Sequence, residues 1–413
     1  MPEQPLRIAL LSYRSKPFCG GQGVYVHYLS RELVRLGHHV EVFSGPPLPH
    51  PLDANVTLTE VRSLDLYREP DPFRVPKLRE FTSATDWLEW LTMCTGAFPE
   101  PLTFSLRVWK LLRKRKDEFD IVHDNQGLGY GLLGLGRHLP VVATVHHPIT
   151  VDREIELAAA PTRRRRVALR RWYGFTRMQG RVVRRLPAVC TVSATSEEET
   201  LRAFRVKAER LSVIGVGVDD EVFRPPSVPR VKNRIVTVTS ADVPLKGLDD
   251  LLHAVAKLRT EREVELVVVG KPKSDGPAAR TVTRLGLGDA VRFVSGLSDV
   301  ELAAELGGAE VAVVPSRFEG FSLPAVEAMA CATPLVATTA GALPEVVGPD
   351  GHAALHVPPG DPEALAAGIG RLLDDPALRE RLGANGRERV LANYTWRRTA
   401  LSTVDWYRRA LDC

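Results

Sequence analysis

Short β-branched runs alternate with helical patterns twice over along these 413 residues, and that doubled alternation narrows the available folds more than any other feature. The runs RIALLS, HHVEVFS, IVHDNQ, PVVATVHH and AVCTVSA read as strands without a polar side, as in parallel sheets covered by helices on both faces. Between the first two, Val26, Leu29, Leu33 and Leu36 recur at helical spacing. A proline-rich stretch without periodicity, Asp219 to Arg234, reads as a linker. Beyond it the pattern resumes in RIVTVTS, VELVVVG, VRFVSG, AEVAVVPS and PLVATT, with helices expected over 247–259, 277–286, 298–306 and 323–331. Three more helices, 363–373, 376–391 and about 396–411, close the chain. The fold expected is α/β, with two Rossmann-like domains facing a central cleft. Their bounds are 1–218 and 235–395, joined by the linker 219–234, with the terminal helix 396–413 packing back on the first domain. The tryptophan- and proline-rich segment from about Leu64 to Glu118 fits neither pattern.

With 44% hydrophobic and 25% charged residues the chain is neither disordered nor a disulfide-stapled miniprotein. No apolar run approaches the ~20 residues that cross a bilayer. The net charge of +5 hides an asymmetry, because residues 162–186 carry ten arginines and no acid. The rest of the chain therefore sums to −5. On a single helix, Trp172, Phe175, Val182 and Leu186 would share a stripe with Ala168 while most arginines project from the other side. A surface helix packed on the first domain accounts for this pattern. So does attraction to an anionic membrane surface or a phosphorylated acceptor, worth up to ~1 kcal/mol per arginine. The basic run Arg107 to Lys116 favours the second reading, and no nucleic-acid motif accompanies the charge. Cys19, Cys94, Cys190, Cys331 and Cys413 show no Cys-x-x-Cys spacing, which suggests a reducing compartment without structural zinc. The start of the chain lacks a signal-peptide pattern, so the expected location is cytoplasmic, peripheral on the inner membrane face.

Ligands of doubly wound sheets bind beyond the carboxyl ends of the strands, so the loops there carry the functional signal. After the first strand, Gly20, Gly21 and Gly23 permit a sharp turn and a close ligand approach. Val26 stands where a dinucleotide fingerprint would need a third glycine, which argues against a dehydrogenase. His146 and His147 end a strand and point to opposite faces, a poor metal chelate but one that offers a histidine to the cleft. Lys246 precedes a helix, where a point charge and free amides suit a diphosphate. The strongest signal is PSRFEGFSLPAVEAMACATPLVATTAGALPEVV, residues 315–347. Glu319 and Glu327 flank a helix start whose amides can take a phosphate, while ionised carboxylates accept sugar hydroxyls. Glu345 adds a third acid.

On these motifs the chain resembles the retaining nucleotide-sugar glycosyltransferases of the GT-B architecture, glycosyltransferase family four. The resemblance runs through GGQGVYVHYLSRELVRLGHHVEVF, VSATSEEE, GVDDEVFRP, KGLDDLLHAVAKL, VVVG, EGFSLPAVEAMA and TAGALPEVV in the family's order. It implies that Glu319 contacts donor-sugar hydroxyls and that Glu327 holds the ribose. It implies that amides of Phe321, Ser322 and Leu323 approach the sugar and diphosphate, and that Lys246 holds the diphosphate. Gly21 and Gly23 would belong to a loop closing over the phosphates, and His146 would stand beside acceptor and donor sugar. Two positions depart from the family. Its diphosphate arginine is absent, with Ser240, Ala241 and Asp242 there instead, so another cation such as Arg317 or Lys271 would have to replace it. The asparagine of NGVD is Val216, and Ala332 stands at a common glycine position.

The activity implied is transfer of a sugar from a nucleotide-diphosphate donor, of unspecified base, to an acceptor hydroxyl with retention, assembled by closure about residues 219–234. Lys246, the glycine loop and helix-end amides would stabilise the leaving group without metal or cofactor. The absence of an Asp-x-Asp triplet agrees with that. The acceptor would be lipid-linked or anionic, with its contacts in the first domain, including the 64–118 insertion. The alternatives are a non-catalytic nucleotide-sugar or membrane-surface module on the same fold, and a related phosphorylase or epimerase.

Overall fold

The computed structural model describes residues 4–15, 21–49, 51–68 and 70–412, which divide into two compact units. The first comprises residues up to 192 together with 196–214 and 400–412. The second comprises 193–195 and 215–399. Cys19, Gly20 and Cys413 lie outside the described residues.

Seven parallel strands form the first unit's sheet: β1 (Arg7–Ser12), β2 (His39–Ser44), β3 (Thr57–Glu60), β4 (Ile121–Asn125), β5 (Val141–Val145), β6 (Ala188–Thr191) and β7 (Leu211–Val213). They lie in the order β3-β2-β1-β4-β5-β6-β7. Every residue of β4 and β5 is buried, as expected of strands covered on both faces. His123, Asp124 and Asn125 are the polar residues inside β4, and His123 is satisfied twice. One ring nitrogen lies 2.6 Å from the Thr144 hydroxyl and the other 2.6 Å from that of Tyr407. Burial and the neighbouring His146 push it down to about 3, so it is neutral. Tyr407 and the buried Trp406 belong to the helix Trp396–Leu411, whose residues from Ala400 onward pack in this unit.

The 64–118 segment is helical, with a 3₁₀ turn at Leu78–Glu80 and helices Ala84–Cys94 and Glu100–Leu112. Ser83 caps the first helix, accepting from the Asp86 amide while Asp86 reaches back. Arg107 on the second helix donates to Asp86 at 2.6 Å, pinning the two together. Residues 162–186 form two helices, Arg163–Trp172 and Phe175–Val183, instead of the single helix expected. The chain breaks at Tyr173 and Gly174, where Tyr173 turns inward and donates to Glu156 at 2.8 Å. Of the expected apolar stripe, Trp172 and Phe175 are half-buried and Val182 and Leu186 buried, while Ala168 is exposed and Leu169 points inward in its place. Arg163 to Arg166, Arg170 and Arg171 are all exposed.

Six parallel strands form the second sheet: β8 (Val231–Val238), β9 (Glu265–Val269), β10 (Val291–Val294), β11 (Ala309–Val314), β12 (Leu335–Thr338) and β13 (Ala354–Val357). Their order, β10-β9-β8-β11-β12-β13, repeats the plan of the first sheet. The end of the expected linker, from Val231 on, already belongs to β8. Leu251, Val255, Leu266, Val268, Val313 and Ile369 lie in one core cluster with the sheet, each such burial worth roughly 1.5–3 kcal/mol. No described helix is long and apolar enough to cross a membrane.

Ala332 has φ +50°, in the left-handed region that L side chains enter at a cost of roughly 1–2 kcal/mol. Ala332→Gly should therefore raise stability by about 0.5–1 kcal/mol after the extra entropy of an unfolded glycine is deducted, as read from urea unfolding midpoints.

Candidate active site

In the second sheet the strand order reverses between β8 and β11, and the loops leaving their carboxyl ends build one site. Lys246 ends a single 3₁₀ turn, Pro244–Lys246, that lies against the end of β11. The approach depends on Gly247, at φ +67°, because a Cβ there would stand 1.9 Å from the Pro315 carbonyl oxygen. A backbone bond from the Arg317 amide to the Leu245 carbonyl, 2.8 Å, fastens the two loops together. Lys246 Nζ thereby donates to Glu319 Oε1 at 2.8 Å, and Ser316 Oγ donates to the same oxygen at 2.7 Å. Glu319 is 7% exposed, and since both donors use Oε1, its second oxygen remains an acceptor. Its backbone is held as well: the Ala342 amide donates to its carbonyl at 2.9 Å. Gly341, whose Cβ would stand 2.2 Å from that carbonyl, permits the contact.

The following helix, Leu323–Ala330, begins at Ser322, a non-glycine residue at φ +97°. Such a conformation costs energy and persists where the surroundings impose it, commonly at ligand sites. The Ser322 Oγ is buried with no hydrogen-bond partner among the described residues. Amides of Phe321, Ser322 and Leu323 precede the helix's own ladder and are free for an anion. Phe321 is buried edge-to-face on Tyr394 at 5.7 Å. Glu327, one turn into the helix, is half-buried. Burial, assisted by Asp299, pushes its carboxyl up to about 8, so it holds a proton at neutral pH and can both donate and accept.

Three neighbouring residues have other duties. Asp242, beside the position of the missing arginine, accepts from the Lys273 and Ala278 amides at 2.7 and 3.3 Å and so caps a turn. Arg317 is held in a bidentate pair with buried Asp250, at 2.9 and 2.7 Å, which engages it away from a diphosphate role. Glu345 accepts from the Ala194 amide at 3.0 Å with both oxygens, and so serves as a structural cap.

The first unit carries the other residues singled out from sequence. Gly21 and Gly23 lie in the first turn of the helix Gly21–Arg35 and not in a free loop. The Gln22 carbonyl in that turn accepts from Asn125 Nδ2 at 3.2 Å. That bond fixes the Asn125 amide so that its Oδ1 faces His146 Nε2 at 2.6 Å. His146 thus carries its proton on Nε2 and presents Nδ1 as a lone pair, and burial pushes it down to about 4, so it is neutral. Tyr25 packs edge-to-face on it at 4.6 Å. β5 ends at Val145, so both histidines stand just beyond the strand and not within it; His147 turns toward Asp152 at 3.5 Å and Glu199 at 3.6 Å. Ser316 and Asn125, the residues that hold Glu319 and His146, were not foreseen. Both stand at carboxyl ends of strands, which is the signal that could have found them.

The comparisons with known proteins agree with this arrangement. Residues 19–222 match the family described as Glycosyltransferase Family 4, and residues 219–389 match Glycosyl transferases group 1. The chain is 56% identical over 407 residues, 98% of each chain, to the MMP alpha-(1->4)-mannosyltransferase of Mycolicibacterium hassiacum. The chain belongs to glycosyltransferase family 4. It is also 29% identical to the glycogen synthase of Mycobacterium tuberculosis, over 98% of this chain and 95% of that one. Among solved structures, sucrose-phosphate synthase from Thermosynechococcus elongatus superposes with a TM-score of 0.74 at 27% identity, covering 98% of both chains. Anabaena HepE in complex with UDP-glucose shares the fold, with a TM-score of 0.67 at 16% identity over 98% of this chain and all of that one. The two doubly wound units are thus those of a GT-B glycosyltransferase, and the protein is an enzyme of that class.

Burial alone would lower the pKa of His147, but the carboxylates of Asp152 and Glu199 outweigh it and push the imidazole up to about 9. A raised folded value stabilises fully below about pH 6.5, and that stabilisation is lost as pH rises through about 9. His147→Gln should therefore destabilise the transferase by up to about 3 kcal/mol at pH 6 and by little at pH 10, as read from urea unfolding at the two pH values.

Proposed function

We propose that this glycosyltransferase moves a mannosyl group from a nucleoside-diphosphate donor to a hydroxyl of a mannose-containing acceptor, forming an α-(1→4) linkage with retention of configuration. The 56% identity along the whole chain to a protein named as an α-(1→4)-mannosyltransferase carries this reading. The site chemistry supports it. Glu327 accepts the ribose hydroxyls, and the amides at Phe321 to Leu323 take the diphosphate together with Lys246. Glu319, by its second oxygen, accepts donor-sugar hydroxyls and keeps Lys246 in place before the donor arrives. His146, neutral and with Nδ1 free to accept, orients a sugar hydroxyl. In the transfer the bond from the anomeric carbon to the diphosphate oxygen breaks as the acceptor oxygen bonds to that carbon. The acceptor proton passes to the departing diphosphate on the same face, so the α configuration of the donor reappears in the product. Charge developing on the diphosphate falls to Lys246 and the amides, without a metal.

A screen of mannosyl and glucosyl nucleotides should show diphosphate release that requires both a mannosyl donor and a mannoside acceptor and is unchanged by EDTA. Glu319→Ala and Lys246→Ala should each lower kcat about 10²-fold or more. Release from a glucosyl donor alone, with none from any mannosyl donor, would refute the reading.

The exposed arginines of the helix Arg163–Trp172 favour a peripheral position on an anionic membrane, with the acceptor presented there. Co-sedimentation with vesicles containing anionic lipid, fading as salt is raised, is the expected result. Equal binding to neutral vesicles would contradict it.

A further inference from the structure

The helix Ala84–Cys94 of the first unit is inside out. Its polar residues Thr85, Asp86 and Glu89 are buried, while Trp87 is 42%, Leu88 39% and Leu91 53% exposed. A surface helix of a globular unit normally shows the opposite polarity. Arg107 on the helix Glu100–Leu112 accounts for the inward acids, since it donates to both carboxylates, and Lys110 donates to Thr85 at 3.2 Å. That ionic seam fixes the helix to its unit, and the outward apolar residues contribute nothing to it.

The outward residues are ordered. Ala84, Trp87, Leu91 and Cys94 are all exposed and follow one another at spacings of three, four and three residues, with Leu88 beside them. This is the seam that one helix offers to another. Just before it, Leu78 is 79% exposed, and Phe81 stacks on Trp87 at 4.2 Å and meets Trp90 at 5.8 Å. Among the described residues, six of the fifteen exposed large hydrophobics lie between 73 and 91, so the exposure is a patch and not a scatter. At roughly 200 Å² for a fully exposed large side chain, Leu78, Trp87, Leu88 and Leu91 present about 400 Å² of apolar surface. The half-buried Phe81 and Trp90 add to it. A standard protein interface buries about 800 Å² per partner, of which roughly 55–65% is apolar, so the patch supplies the apolar share of one such face.

Charge decides the kind of partner. The segment Ala84–Cys94 contains no lysine or arginine, and both of its acids are engaged beneath it. A helix that lies in a lipid surface carries cations on its polar face, and this one carries none. The exposed residues at its ends, Thr82, Ser83 and Thr95, are neutral hydroxyls. The exposed cations Lys77 and Arg79 stand on the turn before the helix and Arg62 beside Thr82, all at the rim, where water and salt screen them. An apolar centre without charge inside a polar rim is the anatomy of a protein interface.

We propose that the chain pairs with a second copy of itself through this stripe, about a two-fold axis that passes close to Leu88. An uncharged stripe meets its own image with no like charges opposed at the centre, and the two-fold arrangement needs only this one patch. Leu88 lies at the middle of the stripe, so it approaches its counterpart whichever way the two helices cross.

The test is the mass of the full-length enzyme in solution, read by light scattering over a concentration series. The wild type should reach twice the mass of one chain. Leu88→Glu and Leu88→Lys, each alone, should weaken pairing at least about thirtyfold, as for loss of an interface hot spot. Both substitutions fall on an exposed side chain, so each variant should keep a cooperative unfolding transition. Mixing the two variants should restore a dimer with one chain of each, which misfolding would not produce and which requires the same stripe on both protomers. A wild type that stays a monomer up to its solubility limit overturns the proposal. So does a dimer that both variants leave intact, and so does failure of the mixture to pair. Loss of vesicle binding in the variants with mass unchanged would make lipid the occupant and overturn it as well.

Discussion

A single close approach holds the candidate site of the second unit together. The Pro315 carbonyl oxygen stands where any side chain on residue 247 would be, so the Lys246 turn meets the end of β11 only because residue 247 is glycine. From that contact follow the Arg317–Leu245 backbone bond, the Lys246–Glu319 pair and the placement of Ser316. Gly341 repeats the device on the other side of Glu319. A carboxylate gripped through one oxygen and through its own backbone cannot drift, so its remaining oxygen is aimed before any ligand arrives. Preorganisation of this kind is what makes electrostatic stabilisation effective, since no reorganisation is needed as charge develops.

The first unit solves a different problem, that of polar groups inside a sheet buried on both faces. His123 and His146 are both kept neutral by burial, and both are held by partners that also join segments far apart in sequence. Tyr407 brings the last helix to the centre of β4, and Asn125 ties the end of β4 to the first turn of the helix Gly21–Arg35. Orientation of the His146 ring and tertiary closure are here the same hydrogen bonds. A pair of this sort is costly to leave half-made, because the surviving partner would be buried and unsatisfied.

Much of the architecture was legible in residue patterns, and the reasons for the exceptions are physical. Runs such as VVATV and ELVVV announce themselves because a strand covered on both faces tolerates little else. The short edge strands β3, β7 and β13 were missed because three or four residues with one open side leave no periodic trace. The single arginine helix is interrupted where Tyr173 turns inward and bonds to Glu156, a long-range partner invisible to helical periodicity. Glu345 read as one more acid after Glu319 and Glu327, yet both of its oxygens accept from the Ala194 amide, 151 residues away in sequence.

The sequence alone determined the doubly wound plan, the family, and the identity of Lys246, Glu319, Glu327 and His146 as the groups to examine. Those depend on local pattern: strand and helix periods, and acids and bases at strand ends. Tertiary structure decided which of them are gripped and by what. Ser316 on Glu319, Asn125 on His146, Asp250 claiming Arg317, and Arg107 drawing Asp86 and Glu89 inward all join residues whose separation carries no sequence signal. Hydrogen bonds and ion pairs act over a few ångströms of space. Only the folded backbone brings those residues within that reach.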